Sequence, residues 1–539
     1  MQLTELSIQS QNVFVRDYIE EKKEMTAFFD YDIHSEHTWK KRYDDLMKRS
    51  FPREALADYM SAYHAKFESA AMRQNIEKIR DERSVMVVGG QQAGLLTGPL
   101  YTIHKIISII QFAKEKESEL GVPVIPIFWV AGEDHDVDEI NFVYTSGEKG
   151  PVKQKLPLHN VKKTASKRTL LHQEKTEKWL RNVFSTYEES AYTNELLDQL
   201  LRCLRKSQTF TDFFEWIVCD LFEEDGLLLL NSGDLGVKPL ERMLFKHIVE
   251  ANDSITNRLN ETQAAMKRAG YRPIIEAGEK QANLFYEYDE ERFLIEKDQN
   301  QFSVSEVGLT WTKEELLLEV EEHPERFSNN VVTRPLMQET LLPTLAFMAG
   351  HGEVNYWGEL KGIFEHFQLK MAPVLPRLHI TILERHIDKK LPIRDMSVEE
   401  VLTTGVKEKK EAHFQQSLPD SFVQSIHTAQ CELAKVHETV RQEALQIEPN
   451  FEQLLDKNAK FIEDQLQFIY QKVAQRVEEK EGYILRDFER IENSLKPLEA
   501  PQERIWNIMY FLNKYGPEFF KTFKNMSFSF QNKQQIVKL

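Results

Sequence analysis

Residues 84–105, SVMVVGGQQAGLLTGPLYTIHK, decide the fold: an apolar run ends in two glycines, and a polar loop then leads into a helical pattern. A second apolar run, VPVIPIFWVA, follows at 122–131. Strand, glycine loop, helix and strand in this order form a βαβ unit, and strands that are apolar on both faces are typical of a buried parallel sheet. We therefore predict an α/β protein with a Rossmann-like parallel-sheet core.

Three further apolar runs have the composition of buried strands and lie at 226–231, 344–349 and 372–381. Each of them, like the first two, is followed by a polar loop. Ligands of open α/β sheets bind beside the carboxyl ends of the strands. The functional residues are therefore expected in these loops.

Two seams of apolar residues predict a long helical arm. The first seam consists of Phe422, Ile426, Ala429, Leu433, Val436 and Val440, and the second, after a turn at Pro449-Asn450, of Leu455, Ala459, Ile462, Leu466, Ile469 and Val473. Both alternate steps of four and three residues, which is the heptad pattern of a coiled coil, and a slip at Val477 indicates a stutter. The pattern favours a projecting antiparallel coiled-coil hairpin; an ordinary helix pair in a larger bundle is the alternative.

The chain is accordingly divided into core pieces, connecting insertions and the arm. The predicted segments are an N-terminal helical segment (1–80), the first part of the core (81–145), insertion 1 (146–225), a core strand (226–235), a helical and mixed insertion 2 with a short antiparallel stretch near 285–303 (236–330), the last part of the core (331–390), the arm (391–500) and a C-terminal segment returning to the junction of arm and core (501–539).

The composition excludes several classes of protein. A net charge of −17 without a long Lys/Arg block disfavours binding to nucleic acid or to an anionic membrane surface. The three cysteines, Cys203, Cys219 and Cys431, lie far apart and form no CxxC pair, which fits a reducing compartment. No signal peptide and no apolar run long enough to span a bilayer is found. We expect a cytoplasmic protein.

The loop after the first strand is the first candidate site. Glycines there allow a ligand to approach the backbone, and the following helix begins with free N–H groups and a partial positive charge. The predicted substrate-binding residues are Gln91, Gln92, Thr97, Gly98, Tyr101 and Lys105. The spacing matches neither GxGxxG nor the P-loop pattern, so the ligand is not identified, and the alternative is that the glycines serve only the turn.

The loop after the second strand, GEDHDVDE, is the second candidate site. Glu133, Asp134, His135 and Asp136 could hold a metal, position an ammonium group or act as general acid and base. A metal would need further ligands from elsewhere, and a solvated acidic loop is the structural alternative. We favour recognition of a substrate amine, with Glu133 binding the substrate and the other three residues acting in catalysis.

The loop after the fourth strand, GHGEVNYWGEL, is the third candidate site. His351 lies between two glycines, which suits a tight turn facing a ligand, and is predicted to be catalytic. Glu353 and Asn355 are predicted to bind substrate, whereas Trp357 fits core packing as well as ligand stacking.

A hairpin returns the chain to the place where it left, so residues on both sides of the arm should meet. This geometry predicts a cofactor-binding junction made of Glu384, Arg385, His386, Arg490, Trp506 and Asn507. An arginine together with an indole can hold an adenine or a phosphate. Interdomain packing with salt bridges is the alternative, and the residues by themselves favour it.

Four segments, GGQQAGLLTGPLYTIHK, FWVAGEDHDVDEIN, AGHGEVNYWGELKGIFEHF and RIWNIMYFLNKYG, closely resemble the cysteine ligase family of bacillithiol biosynthesis, the BshC family. The resemblance covers essentially the whole chain. It implies that the carboxyl group of cysteine is joined to the amine of glucosaminyl-malate. It also implies a relationship to class I aminoacyl-tRNA synthetases and to the mycothiol cysteine ligase, and a homodimer.

The sequence departs from the synthetase pattern at both catalytic motifs. HIGH is not literal, with 97–105 in its place, and KMSKS is absent, with Arg377 and Thr381 as the polar residues of the corresponding region. How the cysteine carboxyl group is activated is therefore open, and a phosphorylated acyl intermediate and an activated cysteine donor are both compatible with the sequence. We expect an adenine nucleotide, ATP or ADP, as cofactor, and no zinc, since no cysteine lies near the core loops to supply a thiolate.

The leading hypothesis is thus an amide-forming ligase acting on cysteine and glucosaminyl-malate, with the malate carboxylates bound by the basic stretch 153–167 or by the helix start at Thr97. One alternative is a nucleotide-binding regulatory or scaffold protein that dimerises through its arm. Another is a metal-dependent hydrolase built on the Asp/His loop. Neither nucleic acid nor membrane is an expected partner, and a homodimer through the arm is expected.

Overall fold

The computed structural model describes residues 1–148, 150–158, 164–276, 278 and 280–539. They form two compact units. The core unit comprises 1–381 and 502–537, and the arm unit comprises 382–501 and 538–539. The finer division into insertions stays a prediction.

The strands of the described residues are, in chain order, β1 Gln2–Leu6, β2 Val85–Gln91, β3 Val124–Val130, β4 Phe142–Gly147, β5 Gly150–Lys155, β6 Leu228–Asn231, β7 Gln281–Tyr288, β8 Glu291–Asp298, β9 Gln301–Val304, β10 Leu309–Thr312, β11 Phe327–Asn329, β12 Thr344–Ala349, β13 Val374–Pro376, β14 His379–Leu383 and β15 Gln534–Lys538. The α-helices are α1 Val13–Ile19, α2 Thr38–Leu46, α3 Arg53–His64, α4 Ala70–Ile79, α5 Leu100–Leu120, α6 Gln173–Ser185, α7 Thr193–Lys206, α8 Phe210–Leu221, α9 Lys238–Glu250, α10 Asn252–Arg268, α11 Lys313–Glu322, α12 Arg334–Leu341, α13 His351–Glu359, α14 Lys361–His366, α15 Arg385–Ile393, α16 Val398–Thr403, α17 Lys407–Ser417, α18 Asp420–Ile447, α19 Glu452–Leu495, α20 Gln502–Ile505 and α21 Ile508–Lys524.

A five-stranded parallel sheet forms the centre of the core unit, with the strand order β13-β12-β2-β3-β6. β2 pairs with β3 in parallel, with Val88 opposite Ile127 and Gly90 opposite Trp129. Every residue of β3 and of β12 is buried, as the apolar runs predicted. The predicted α/β fold with a Rossmann-like core is therefore confirmed.

The predicted strand at 372–381 is in fact two strands in different sheets. β13 is an edge strand of the parallel sheet, whereas β14 belongs to a three-stranded sheet with β15 and β1. The break falls at Arg377 and Leu378, whose backbone N–H groups donate to the Ala349 carbonyl (2.8 Å) and to the Ser108 hydroxyl (2.9 Å). These bonds turn the chain out of the parallel sheet while leaving both N–H groups paired.

The second insertion contains more sheet than the sequence predicted. The expected antiparallel stretch is part of a five-stranded sheet in the order β10-β9-β8-β7-β11. The β4–β5 hairpin spans the predicted start of insertion 1 at 146, and helices α6 to α8 follow it. The N-terminal 80 residues contain strand β1 and helices α1 to α4.

A buried ion pair joins the N-terminal helices to the sheet. The Arg42 guanidinium, on α2, donates to both carboxylate oxygens of Glu339 (2.7 and 2.8 Å) and to the Thr344 carbonyl at the start of β12. Arg42 and Glu339 are 1% and 0% exposed, so neither charge is solvated by water. The Arg49 guanidinium forms a second ion pair with the Glu339 carboxylate.

The arm unit contains the predicted antiparallel helix pair, α18 and α19, which have 28 and 44 residues and pack against each other. At 1.5 Å per residue α19 is about 66 Å long. The contact between the two helices differs from the predicted seam. Phe422, Ile426 and Ala429 are partly buried as predicted, but Val436 and Val440 remain 61% and 54% exposed.

The change of seam has a geometric reason. An α-helix has 3.6 residues per turn, so a stripe of residues repeating every seven drifts around the helix. Beyond Ala429 the contact moves to His437, Arg441 and Ala444, which are partly buried. The apolar residues of the predicted seam are therefore only partly covered by the hairpin itself. None of the described helices is both long and apolar enough to cross a membrane.

Replacing Arg42 by Met should lower the free energy of unfolding by about 3 kcal/mol, because it leaves the buried Glu339 carboxylate partly unpaired. Lys40→Met on the same helix is the control: it breaks an exposed ion pair with Asp44, and such pairs contribute about 0–1 kcal/mol. The measurement is denaturant unfolding followed by circular dichroism. Equal losses for the two variants would contradict a stabilising role for the buried pair.

Candidate functional site

A cavity of about 400 Å³ opens at the carboxyl ends of β2, β3 and β12. It is lined by residues from all three loops singled out in the sequence and by three arginines from outside them: Gly90, Gln91, Gln92, Tyr101, Lys105, Trp129, Ala131, Asp134, Arg334, Gly350, His351, Gly352, Glu353, Tyr356, Arg377 and Arg504. Three segments far apart in sequence thus converge at one edge of the sheet. The roles of these residues in binding and catalysis stay predictions.

The first loop owes its shape to three consecutive residues with positive φ: Leu96 (51°), Thr97 (77°) and Gly98 (70°). Asn507 stabilises this conformation, because its side-chain amide donates to the carbonyls of Leu96 (2.7 Å) and Gly98 (2.6 Å). The Leu100 N–H, at the start of α5, donates to the Trp506 carbonyl (2.8 Å). Thr97 is fully buried, so Thr97 and Gly98 shape the loop and do not line the cavity, whereas Tyr101 does.

Lys105 connects the first and third loops. Its ammonium group donates to the Gly90 carbonyl (2.6 Å), the Gln91 side chain (3.1 Å) and the Glu353 carboxylate (2.5 Å). Glu353 also accepts from the Gly350 N–H (2.6 Å) and so caps α13. Burial lowers the pKa of Lys105, although the Glu353 carboxylate opposes this. Lys105 therefore contributes to the architecture of the cavity wall, with all three of its donors used by the protein.

The acidic loop divides between two environments. Asp134 lines the cavity and accepts a hydrogen bond from the Gln92 amide (2.8 Å). Glu133 faces the interior instead, where it pairs with Lys238 (3.3 Å). His135 lies edge-on against Phe285 of β7, with 6.1 Å between the ring centroids, and its Nδ1 is 3.4 Å from Arg292.

Arg292 explains why the loop is arranged in this way. Its guanidinium is 7% exposed and donates to the Ser328 hydroxyl (2.9 Å) and the Asn329 carbonyl (2.5 Å). Burial lowers the pKa of Arg292, and Glu133, Asp134 and Asp136 act in the opposite direction. The acidic residues therefore compensate a buried cation of the second insertion. Asp136 is largely exposed and does not line the cavity.

The third loop places His351 in the cavity, at the start of α13. Burial, together with His379 and the positive charge of Arg377, lowers the pKa of His351 to about 3. The imidazole is therefore neutral at physiological pH. Asn355 points elsewhere: it is 1% exposed and donates to the Arg272 carbonyl (3.3 Å).

Three arginines of the cavity were not identified as site residues from the sequence. Arg334 begins α12, and its guanidinium donates to the Tyr356 hydroxyl (2.8 Å) and lies over the Phe347 ring at 5.2 Å. Arg377 forms a bidentate ion pair with Glu503 (2.8 Å for both bonds). Arg504 is exposed. Arg334 stands in no motif singled out in the sequence. Arg377 lies in the region where KMSKS would fall and Arg504 begins the segment RIWNIMYFLNKYG, but neither was predicted to line the site.

Among the residues that line the cavity, positively charged side chains outnumber carboxylates. Lys105 is paired with Glu353 and Arg377 with Glu503, whereas Arg334 and Arg504 have no carboxylate within ion-pair distance among the described residues. The buried Trp129 indole N–H also has no partner there. A lining that contains both these donors and the Asp134 carboxylate suits a ligand that carries both carboxylates and a positively charged or hydrogen-bond-donating group.

The predicted cofactor residues fall in both units. Glu384, Arg385, His386 and Arg490 belong to the arm unit, while Trp506 and Asn507 belong to the core unit. Within the core unit Trp506 stacks on Tyr510, with 4.9 Å between the ring centroids. The nucleotide site at this junction stays a prediction.

The basic stretch 153–167 is described only in part, since 159–163 lie outside the described residues. Among its described cations, Lys155 pairs with Asp138 (2.8 Å) and Lys167 with Asp212 (3.2 Å). Neither lines the cavity. Binding of malate carboxylates by this stretch stays a prediction.

Two family models together match nearly the entire chain. The model described as "Bacillithiol biosynthesis BshC, N-terminal Rossmann-like domain" matches residues 1–378, and the one described as "Bacillithiol biosynthesis BshC, C-terminal coiled-coil domain" matches residues 380–539. Relatives named "Putative cysteine ligase BshC" are 89% identical in Bacillus pumilus, 58% in Bacillus velezensis and 57% in Bacillus licheniformis, with 100% of both chains covered in each case. The chain therefore belongs to the BshC family of bacillithiol biosynthesis.

Proposed function

We propose that this protein is a cysteine ligase that joins the carboxyl group of cysteine to the amine of glucosaminyl-malate. The observation that carries the proposal is the charge pattern of the cavity at the sheet edge in a member of this family. Glucosaminyl-malate has one amine and two carboxylates. Among the described residues, the cavity offers one carboxylate without an ion pair, Asp134, and two arginines without a carboxylate partner, Arg334 and Arg504.

In this proposal Arg334 and Arg504 bind the malate carboxylates. Arginine suits this task because its planar guanidinium can donate two parallel hydrogen bonds to a carboxylate. The Tyr356 hydroxyl and the Phe347 ring orient Arg334 before the ligand arrives. Preorganisation of this kind lowers the entropic cost of binding.

Asp134 is the proposed partner of the acceptor amine. The Gln92 amide donates to one of its oxygens (2.8 Å) and the Asp136 backbone N–H to the other (3.1 Å), and each carboxylate oxygen has a second lone pair that can accept from the substrate. As the carbon–nitrogen bond forms and the bond from the carboxyl carbon to its leaving group breaks, the amine loses a proton, and we propose that Asp134 accepts it. His351 is neutral, because burial, His379 and Arg377 lower its pKa to about 3, and we propose hydrogen bonding to substrate as its role.

Amide formation from a free carboxylate in water requires activation of the acyl group. We propose that an adenine nucleotide supplies it, as ATP giving ADP or AMP. We further propose that the reaction takes place in the cytoplasm, because Cys203, Cys219 and Cys431 are all free thiols, which is the usual state in a reducing compartment.

The direct test is reconstitution with purified protein, cysteine, glucosaminyl-malate and ATP. We expect an amide product whose mass is that of the two substrates less one water, detected by mass spectrometry after thiol labelling. In a bacillithiol-producing host, deletion of the gene should abolish bacillithiol and lead to accumulation of glucosaminyl-malate. Normal bacillithiol without that accumulation would refute the proposal.

Arg334→Ala should raise KM for glucosaminyl-malate about tenfold or more, because a hydrogen bond to a charged group contributes about 1.5–3 kcal/mol. KM for cysteine should change much less. Arg258→Ala is the control, since Arg258 is exposed, pairs with Glu261 and does not line the cavity. Steady-state kinetics with each substrate varied in turn measures both constants, and an unchanged KM for glucosaminyl-malate would exclude Arg334 from binding it.

We also propose that the protein forms a homodimer through the arm. Leu454, Phe461 and Phe468 follow one another at intervals of seven residues on α19 and are 60%, 65% and 54% exposed. Val436 and Val440 on α18 add to the exposed apolar surface. An apolar stripe with a heptad repeat is the feature by which helices recognise further helices, and a second copy supplies a matching stripe.

Substituting Glu for both Phe461 and Phe468 should convert the dimer to a monomer, because it places two charges in each copy of the apolar stripe. The measurement is size-exclusion chromatography with light scattering. The control is the double variant Gln453→Glu with Gln467→Glu, which adds the same charge at exposed positions beside the stripe. A wild-type protein that is monomeric at micromolar concentration would contradict the proposed dimer.

A further inference from the structure

One buried carboxylate, Glu503 of α20, binds three basic side chains at the back of the cavity. Each of its oxygens accepts a hydrogen bond of 2.8 Å from the Arg377 guanidinium. Oε2 also accepts from Nδ1 of His104 on α5, and Oε1 from Nδ1 of His379 on β14, both at 3.0 Å. Glu503 is 5% exposed and does not itself line the cavity.

The electrostatic environment keeps Glu503 ionised. Burial raises its pKa, but Arg377, His379 and the hydrogen bond from His104 outweigh burial and hold the pKa well below the usual value of a glutamate. Burial lowers the pKa of His104. A neutral imidazole whose Nδ1–H donates to Glu503 has only a lone pair at Nε2, and the His104 Nε2 atom has no hydrogen-bond partner in the described part of the chain.

The partners of Glu503 form part of the cavity wall. Arg377 lines the cavity. Its guanidinium also donates to the Leu378 carbonyl, and because an arginine side chain has five N–H groups, further N–H groups can donate to a ligand. The His379 ring lies against His351, another lining residue, with 4.3 Å between the ring centroids. The chain neighbour of Glu503, Arg504, lines the cavity as well.

We propose that Glu503 is a positioning residue: it holds Arg377 and, through His379, His351 in the geometry that aligns the bound carboxylate-bearing substrate for reaction. The inference rests on the proposed ligase function. Without the negative charge at 503, Arg377 stays cationic and still attracts an anionic ligand, but it is no longer held in one orientation. Such a protein should largely retain its affinity for the substrate but no longer align the bound substrate for reaction.

The test is steady-state kinetics of the full-length enzyme with glucosaminyl-malate varied. Glu503→Gln should lower kcat by about 100-fold, the loss that follows from a displacement of roughly 1 Å between reacting groups, with a much smaller change in KM. Asp487→Asn is the matched control: this carboxylate is also buried, pairs with Lys390 and Arg394 in the arm unit, and should leave kcat unchanged.

A double variant separates positioning from damage to folding. Arg377→Gln with Glu503→Gln removes both buried charges together, so it leaves neither one unpaired. If Glu503 acts through Arg377 as well as through His379, the double variant should lose less kcat than the product of the two single losses, because the effects of coupled residues are not additive. Multiplying effects, or a wild-type kcat in Glu503→Gln, would overturn the inference. A wild-type enzyme that makes no product would instead refute the proposed ligase function, on which this inference depends.

Discussion

The cavity depends on the hydrogen bonds of one buried ammonium group. Lys105 of α5 joins the end of β2, through Gly90 and Gln91, to the start of α13, through Glu353. These contacts hold two loops of the parallel sheet side by side and cap the helix that carries His351. Because the group is buried, each of its three donors needs a protein acceptor, and this requirement determines where the two loops lie.

Residues outside the parallel sheet orient the loops at its edge. Arg292 of the second insertion and Lys238 of α9 draw Glu133 and His135 away from the cavity, which leaves Asp134 as the carboxylate of that loop in the lining. Asn507, far along the chain, stabilises the strained first loop. Elements outside the parallel sheet thus select which side chains of each loop can meet a ligand.

The strands and the arm could be predicted because their signals are local. Runs such as VPVIPIFWVA are apolar on both faces, and the seams of the arm repeat over many turns. The local pattern was less informative at 372–381, because this segment contributes to two different sheets. The run has the composition of one strand, but the chain leaves the parallel sheet at Arg377 and Leu378. The arm seam also left Val436 and Val440 exposed, because a stripe of residues that repeats every seven drifts around a helix with 3.6 residues per turn.

The sequence by itself determined that five buried strands end in polar loops, and the loops that follow β2, β3 and β12 meet at one edge, since parallel strands have their carboxyl ends together. It could not determine which side chains enter the cavity. Arg334, Arg377 and Arg504 reach it from outside the loops that follow β2, β3 and β12, while Thr97, His135 and Asn355 turn away. These choices depend on long-range pairing of buried charges and hydrogen-bonding groups, which only the tertiary structure decides.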